Sequence, residues 1–473
     1  MRTPPAAVVT AGLLLVIGAC AGTSGQQVDA GRARGDATTT SAPPAKKATT
    51  TAPPDCAAML PPEGQAAQLL MVEVIDPSQA AKLLADGTVG GFSLSGNQRS
   101  DVAKGIATAT AKSPIPPSVA VREEGGSAQS LKYSAGVLPS QGEQAGGTTT
   151  AAATQVGQHA AKMAGMGVTM NFAPLAALEP TPAGVRPTTT SSSTTTTRPS
   201  AGSGTGTAAA TGTASRYFGR DPDTVSPFVV ASLKAQQDNK VNPVVKFWPA
   251  GTGTAPQKSG SSSTSAPKAL PKLAAIDQLR ATDMAVFDTA IKAGAPAIMV
   301  SNAEVPGLTA AGEPASLSTD AITGELRGRE GFDGVVVTET LGTGPVATVA
   351  PADEAAERAI TAGADIAVVA GADSATAAHD RLVAAIKEGR LDKARVEASV
   401  RRVLTLKGVE GECFDAVSSY AATARVQADA GSSTTTAGSG SGSTGASGQS
   451  GGTTPKASTT STTTRSTTSS TPG

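Results

Sequence analysis

Apolar positions along the middle of this chain follow two alternating rhythms. Short β-branched runs stand between longer stretches with apolar residues every three or four positions, the pattern of βα units around a parallel sheet. Eight runs read as strands: 69–74, 89–94, 118–121, 168–172, 243–247, 297–300, 334–337 and 366–370. Helical spacing fits 101–111, 154–165, 224–237, 274–293, 319–329, 353–362, 374–387 and 392–407. Eight strands with helical crossovers satisfy the closure of an α/β chain into a (β/α)8 TIM-type barrel. An open doubly wound sheet is the alternative, but no Gly-rich phosphate fingerprint follows the first strand.

Both rhythms fail in four places. Residues 21–55 are rich in Thr, Ala, Pro and Gly, and the closing segment 414–473 ends in a Ser/Thr/Gly run from 431. Two similar runs, 181–215 and 251–267, interrupt the barrel pattern. Such compositions bury too little apolar surface to order themselves, so they read as a tether, a tail and two insertions. Both insertions leave the C-terminal ends of strands and would hang over the face where loops usually order a substrate. The ordered barrel is therefore expected over 56–413.

The first twenty residues have another pattern. Arg2 precedes an apolar stretch, 6–17, that is too short for a stable span and ends Ile17-Gly18-Ala19-Cys20. This resembles a bacterial lipobox, which implies cleavage before Cys20, its lipidation, and an extracytoplasmic protein anchored to the membrane. An ordinary secretory signal with a chance cysteine is the alternative. No long apolar span follows residue 20, so no second membrane pass is expected.

Composition narrows the function. Lys plus Arg and Asp plus Glu are 38 each, so there is no basic surplus for nucleic acid. Aromatic residues are only 3% of the chain, so each one near a strand end bears examination. With Cys20 lipidated, Cys56 and Cys413 remain as an even pair in an oxidising compartment, and a disulfide joining the barrel's ends is expected; two buried thiols are the alternative. No Cys-x-x-Cys or His-x-x-x-His motif appears, so neither a metal nor another cofactor is expected.

The chemistry gathers at Gly331-Phe332-Asp333-Gly334-Val335-Val336-Val337-Thr338-Glu339-Thr340-Leu341, which reads as a buried strand delivering Glu339 to its C-terminal end. In a barrel that end is the reactive face. This stretch resembles the nucleophile strand of family 3 glycoside hydrolases, in the single-domain β-N-acetylglucosaminidase branch. Further segments resemble the family's framework: Arg216-Tyr217-Phe218-Gly219-Arg220-Asp221-Pro222, Asn171-Phe172-Ala173-Pro174, Ala315-Ser316-Leu317-Ser318 and Leu326-Arg327. The resemblance spans most of 56–413 and implies an ancestral release of terminal N-acetylglucosamine from peptidoglycan-type fragments, by a monomer.

The resemblance also shows departures. A retaining glycosidase needs a nucleophilic carboxylate and an acid/base flanking the scissile bond. The family has Asp where this chain has Glu339, which adds a methylene, and a misplacement of about 1 Å can cost around 100-fold. The family's acid/base is a His on a loop following Lys-His-Phe-Pro-Gly-His-Gly. The chain reads Lys246-Phe247-Trp248-Pro249-Ala250-Gly251-Thr252 there, and the loop beyond has neither Asp nor His. The two histidines, His159 and His379, fall on helices away from that loop and read as surface or satisfied residues. Glu123 and Glu124 are the alternative proton donors, although Glu124 matches the family's framework carboxylate.

Where the family presents an Asp that holds sugar hydroxyls, this chain has Arg122, and the Arg following the glycines is Ser127. Arg216 and Lys246 match family sugar contacts and read equally as framework charges. Trp248 reads as a sugar platform or as a filler of core space. Arg122, or else Lys246, is expected to pair with Glu339 and block its use as a nucleophile. These departures point to a catalytically impaired, lipid-anchored relative that binds a glycan or serves as a scaffold. An active glycosidase using Glu339, and a protein-interaction module with a vestigial pocket, are the competing readings.

Overall fold

The computed structural model describes residues 55–180, 216–251, 269–409, 415 and 417–420. Cys20, Cys413, the leader and the Ser/Thr tail lie outside the described residues, as do the tether apart from Asp55 and both insertions apart from Gly251. Cys56 is buried at the start of the described chain.

The eight barrel strands are β1 (Leu70–Val74), β2 (Gly91–Leu94), β3 (Ser118–Val121), β4 (Met170–Asn171), β5 (Asn242–Trp248), β6 (Ala297–Val300), β7 (Val335–Thr338) and β8 (Ala367–Ala370). They form one parallel sheet in the order β8-β1-β2-β3-β4-β5-β6-β7. Bridges Val337–Ile366 and Leu341–Val369 join β7 to β8 and close the circle, with the Leu341 N–H donating to the Val368 carbonyl at 2.7 Å. The expected TIM-type barrel is the observed fold.

Strand alternation sorts the core into two layers. Met71, Ala120, Met170, Val244, Ala297, Met299, Val335, Val337 and Val368 fill the lumen. Their neighbours Val72, Phe92, Val121, Val245, Ile298, Val336 and Val369 pack outward against the helices. Near the N-terminal ends of β7 and β8, the fully buried Asp365 accepts from the Val336 N–H at 2.9 Å, from Arg327 at 2.6 Å and from Arg402 at 2.8 Å.

Most predicted helices occur within a few residues of their expected bounds. The stretch 274–293 divides instead into Ile276–Arg280 and Asp283–Lys292, because Thr282 leaves the helical conformation (φ −130°, ψ −99°). Asp320–Arg329 winds as a π-helix. Cys56–Met59, Pro62–Gln68, Ser78–Ala85 and Gln141–Ala145 are additional helices. Three of these four run seven residues or fewer, too short to show a helical period.

Candidate active site at the barrel mouth

The same alternation that fills the lumen carries polar side chains to its C-terminal mouth. The next inward positions above the apolar layer are Glu73 on β1, Arg122 after β3, Lys246 on β5, Ser301 after β6 and Glu339 after β7. At β5 the register shifts between Lys246 and Trp248, and the Lys246–Phe247 and Trp248–Pro249 peptides are both cis. The register shift turns Phe247 towards the lumen and the mouth residues Leu175 and Tyr217, and sends Trp248 into the outer core.

Glu124 anchors the basic side of the mouth. It lies on a hairpin, Glu123–Gly125 with Ala128–Gln129, inserted after β3. Its carboxylate accepts from Lys246 Nζ at 2.5 Å and from Arg216 Nε and Nη2 at 2.6 and 2.7 Å. Both Glu124 and Lys246 expose only 1% of their side chains. Burial pushes the Glu124 carboxyl up, but the charges of Lys246 and Arg216 outweigh it and hold the group at about 2. Burial depresses Lys246 to about 7, with Arg122 and Arg216 adding to the shift and Glu124 opposing it.

Glu339 occupies the opposite wall. The Asn302 backbone N–H donates to its Oε2 at 2.6 Å. Asn302 is held in turn by its own donation to the Thr340 carbonyl at 3.0 Å and by Ser316 Oγ, which donates to its Oδ1 at 2.6 Å. Burial pushes the Glu339 carboxyl up, against the Asn302 bond and the nearby charges of Lys246, Arg122 and Arg216. Next to it, Thr340 Oγ1 donates to Glu73 at 2.6 Å.

Several expectations need correction. Neither Arg122 nor Lys246 forms an ion pair with Glu339: Lys246 is taken by Glu124, and Arg122 acts on Glu339 only through space. Trp248 is no sugar platform, because it is 0% exposed and its Nε1 donates to Glu330 at 3.1 Å. Phe247, packed with Leu175 and Tyr217, is an aromatic at the mouth instead. Glu124 cannot deliver a proton near neutrality while two cations hold it ionised. Glu123 is occupied as well, accepting from the Leu131 N–H at 2.5 Å and from Gln129 at 2.9 Å, with His159 Nε2 at 2.8 Å. His159 is thus a satisfied helical residue, and His379 contacts the Glu63 carbonyl at 3.2 Å on an outer helix.

Sequence reading therefore brought Arg122, Arg216, Lys246 and Glu339 to one mouth. It missed Asn302, Glu73 and the Glu123–His159 pair, although the quoted segment around Ser316 lies one contact from Asn302. Among the described residues, no cluster of His, Cys, Asp and Glu is placed to hold a metal ion.

The chain is 29% identical over 365 residues to beta-hexosaminidase LpqI of Mycobacterium tuberculosis, covering 75% of this chain and 85% of that protein. Over a shorter stretch of 128 residues it is 34% identical to a beta-hexosaminidase of Stenotrophomonas maltophilia, covering 27% of this chain and 36% of the relative. Among solved structures, a glycosyl hydrolase of family 3 from Mycobacterium smegmatis superposes with a TM-score of 0.61 at 29% identity, covering 75% of this chain and 98% of that one. A family 3 β-N-acetylglucosaminidase from Paenibacillus gives 0.60 at 25% identity, covering 74% and 62%. Residues 63–202 and 205–406 match the glycosyl hydrolase family 3 N-terminal domain, and with the closed barrel and its mouth these matches establish that the chain belongs to that family.

Proposed function

We propose that this protein is a membrane-anchored family 3 barrel of the cell envelope that binds a glycan at its mouth and hydrolyses it poorly or not at all. Support for the glycan comes from the relatives, which are named beta-hexosaminidases. Support for the impairment comes from one observation above all: Glu124 is ionised between Arg216 and Lys246, with its carboxyl held at about 2. Glu123 and His159 satisfy each other, so the acids and histidines nearest the mouth are occupied. A retaining reaction needs a proton donor at the leaving oxygen, and its loss costs about 100- to 10,000-fold. Burial also raises the proton affinity of Glu339, which opposes its use as an ionised nucleophile. Anchoring through Cys20 and a Cys56–Cys413 disulfide belong to the same reading.

One observation favours an active enzyme instead. Burial depresses Lys246 to about 7, so its hold on Glu124 weakens as pH rises through that value, at the same mouth as Glu339. A chromogenic N-acetylglucosaminide separates the two. Impairment predicts release within background, unchanged by Glu339→Ala, together with binding of muropeptide fragments that Arg216→Ala weakens. Turnover abolished by Glu339→Ala, with a pH profile breaking near 7, would establish the active enzyme and overturn the impaired one.

A further inference from the structure

The mouth carries its charges on opposite arcs. Glu339 after β7 and Glu73 on β1 flank β8, while Arg122 after β3 and Lys246 on β5 flank β4, half a turn away around the eight-stranded ring. Within the basic arc, Lys246 and Arg216 are both spent on Glu124. Arg122 differs from them: it is exposed, and its guanidinium makes no hydrogen bond or ion pair among the described residues. It stands two positions after Ala120, which fills the lumen, so strand alternation sets it at the mouth, and its charge reaches both Lys246 and Glu339. Between the arcs, Ser301 Oγ is completely buried at the inward position just after β6 and has no partner among the described residues.

We propose that the mouth selects an acidic sugar, one bearing a carboxylate or a phosphate ester, with its anionic group on Arg122 and its hydroxyls donating to Glu339 and Glu73. A guanidinium with free donors presents a planar fork that matches carboxylate and phosphate oxygens, whereas sugar hydroxyls suit the carboxylates opposite. A neutral sugar would leave Arg122 unmatched. This inference rests on the reading that the mouth binds a glycan, and names its class.

Calorimetry on the full-length chain tests it with glucuronate, glucose 6-phosphate, N-acetylglucosamine and inorganic phosphate. The expected result is that at least one acidic sugar binds ten-fold or more tighter than N-acetylglucosamine. Arg122→Ala should remove about ten- to a hundred-fold of that affinity, and Arg122→Glu should reverse the preference. Circular dichroism on both variants confirms folding, which exposure of Arg122 favours. The two acidic ligands distinguish a carboxylate from a phosphate source. N-acetylglucosamine binding as tightly as either acid, unchanged by Arg122→Ala, would overturn the inference and leave the glycan reading standing. Inorganic phosphate binding as tightly as glucose 6-phosphate would overturn it as well, by showing an anion site indifferent to the sugar. No binding of any sugar would overturn both.

Discussion

Glu330 stands beside the single tryptophan, and Trp248 Nε1 donates to its two oxygens at 3.1 and 3.2 Å. Burial pushes the Glu330 carboxyl from 4.5 to about 8, against the Trp248 bond that favours the anion. The unfolded chain loses this proton near 4.5 while the native state retains it to about 8. The folded form thus holds more protons across that window, and stability falls as pH rises through it. Glu330→Gln keeps an acceptor for the indole but does not titrate. Between pH 5 and 9 its melting temperature should fall less than that of the parent protein. Emission from Trp248 should titrate near pH 8 in the parent and stay flat in Glu330→Gln. None of this was legible in the sequence, because the two residues are 82 positions apart. Only the outward turn of Trp248 brings them together.

At the scale of elements, the hairpin after β3 decides the site. It appears in the sequence as Glu123-Glu124-Gly125-Gly126, without the alternation that marks a strand. Gly125 has φ +99°, and a Cβ there would lie 2.0 Å from the Pro139 carbonyl oxygen. No other residue fits, because both the backbone angle and the space exclude a side chain. Gly125→Ala should therefore cost more than about 1 kcal/mol in urea unfolding. It should also weaken sugar binding, since the hairpin carries Glu124 and with it the positions of Lys246 and Arg216. Unchanged binding in a destabilised variant would show that the mouth does not depend on the hairpin. The strands were legible because their apolar runs have a clear period. The short helices before β1 and the hairpin were not, since runs of two to seven residues cannot establish one.

At the scale of the molecule, the barrel is tied at its base by Asp365. Three arginines converge on this buried carboxylate: Arg327 from the π-helix, and Arg395 and Arg402 from the last long helix. Removing the anion would leave three partly buried cations without their partner. Asp365→Asn should cost about 3–5 kcal/mol, read as a lower denaturation midpoint. Loss should be felt through the whole barrel as one transition, because Asp365 also receives the Val336 N–H next to the closing seam. A small, local effect confined to the final helix would contradict that role.

The sequence by itself determined the barrel, since eight apolar runs of strand length separated by amphipathic stretches admit few other closures. It also determined which residues reach the mouth, because a period of two and a strand's C-terminal end suffice to place Arg122, Lys246 and Glu339. Tertiary structure alone decided what those residues do. Glu124 takes Lys246 and Arg216, so among the described residues Glu339 accepts only from the Asn302 N–H and Arg122 has no hydrogen bond or ion pair. Charges choose partners by distance and burial, and both arise only when strands remote in sequence close into a ring.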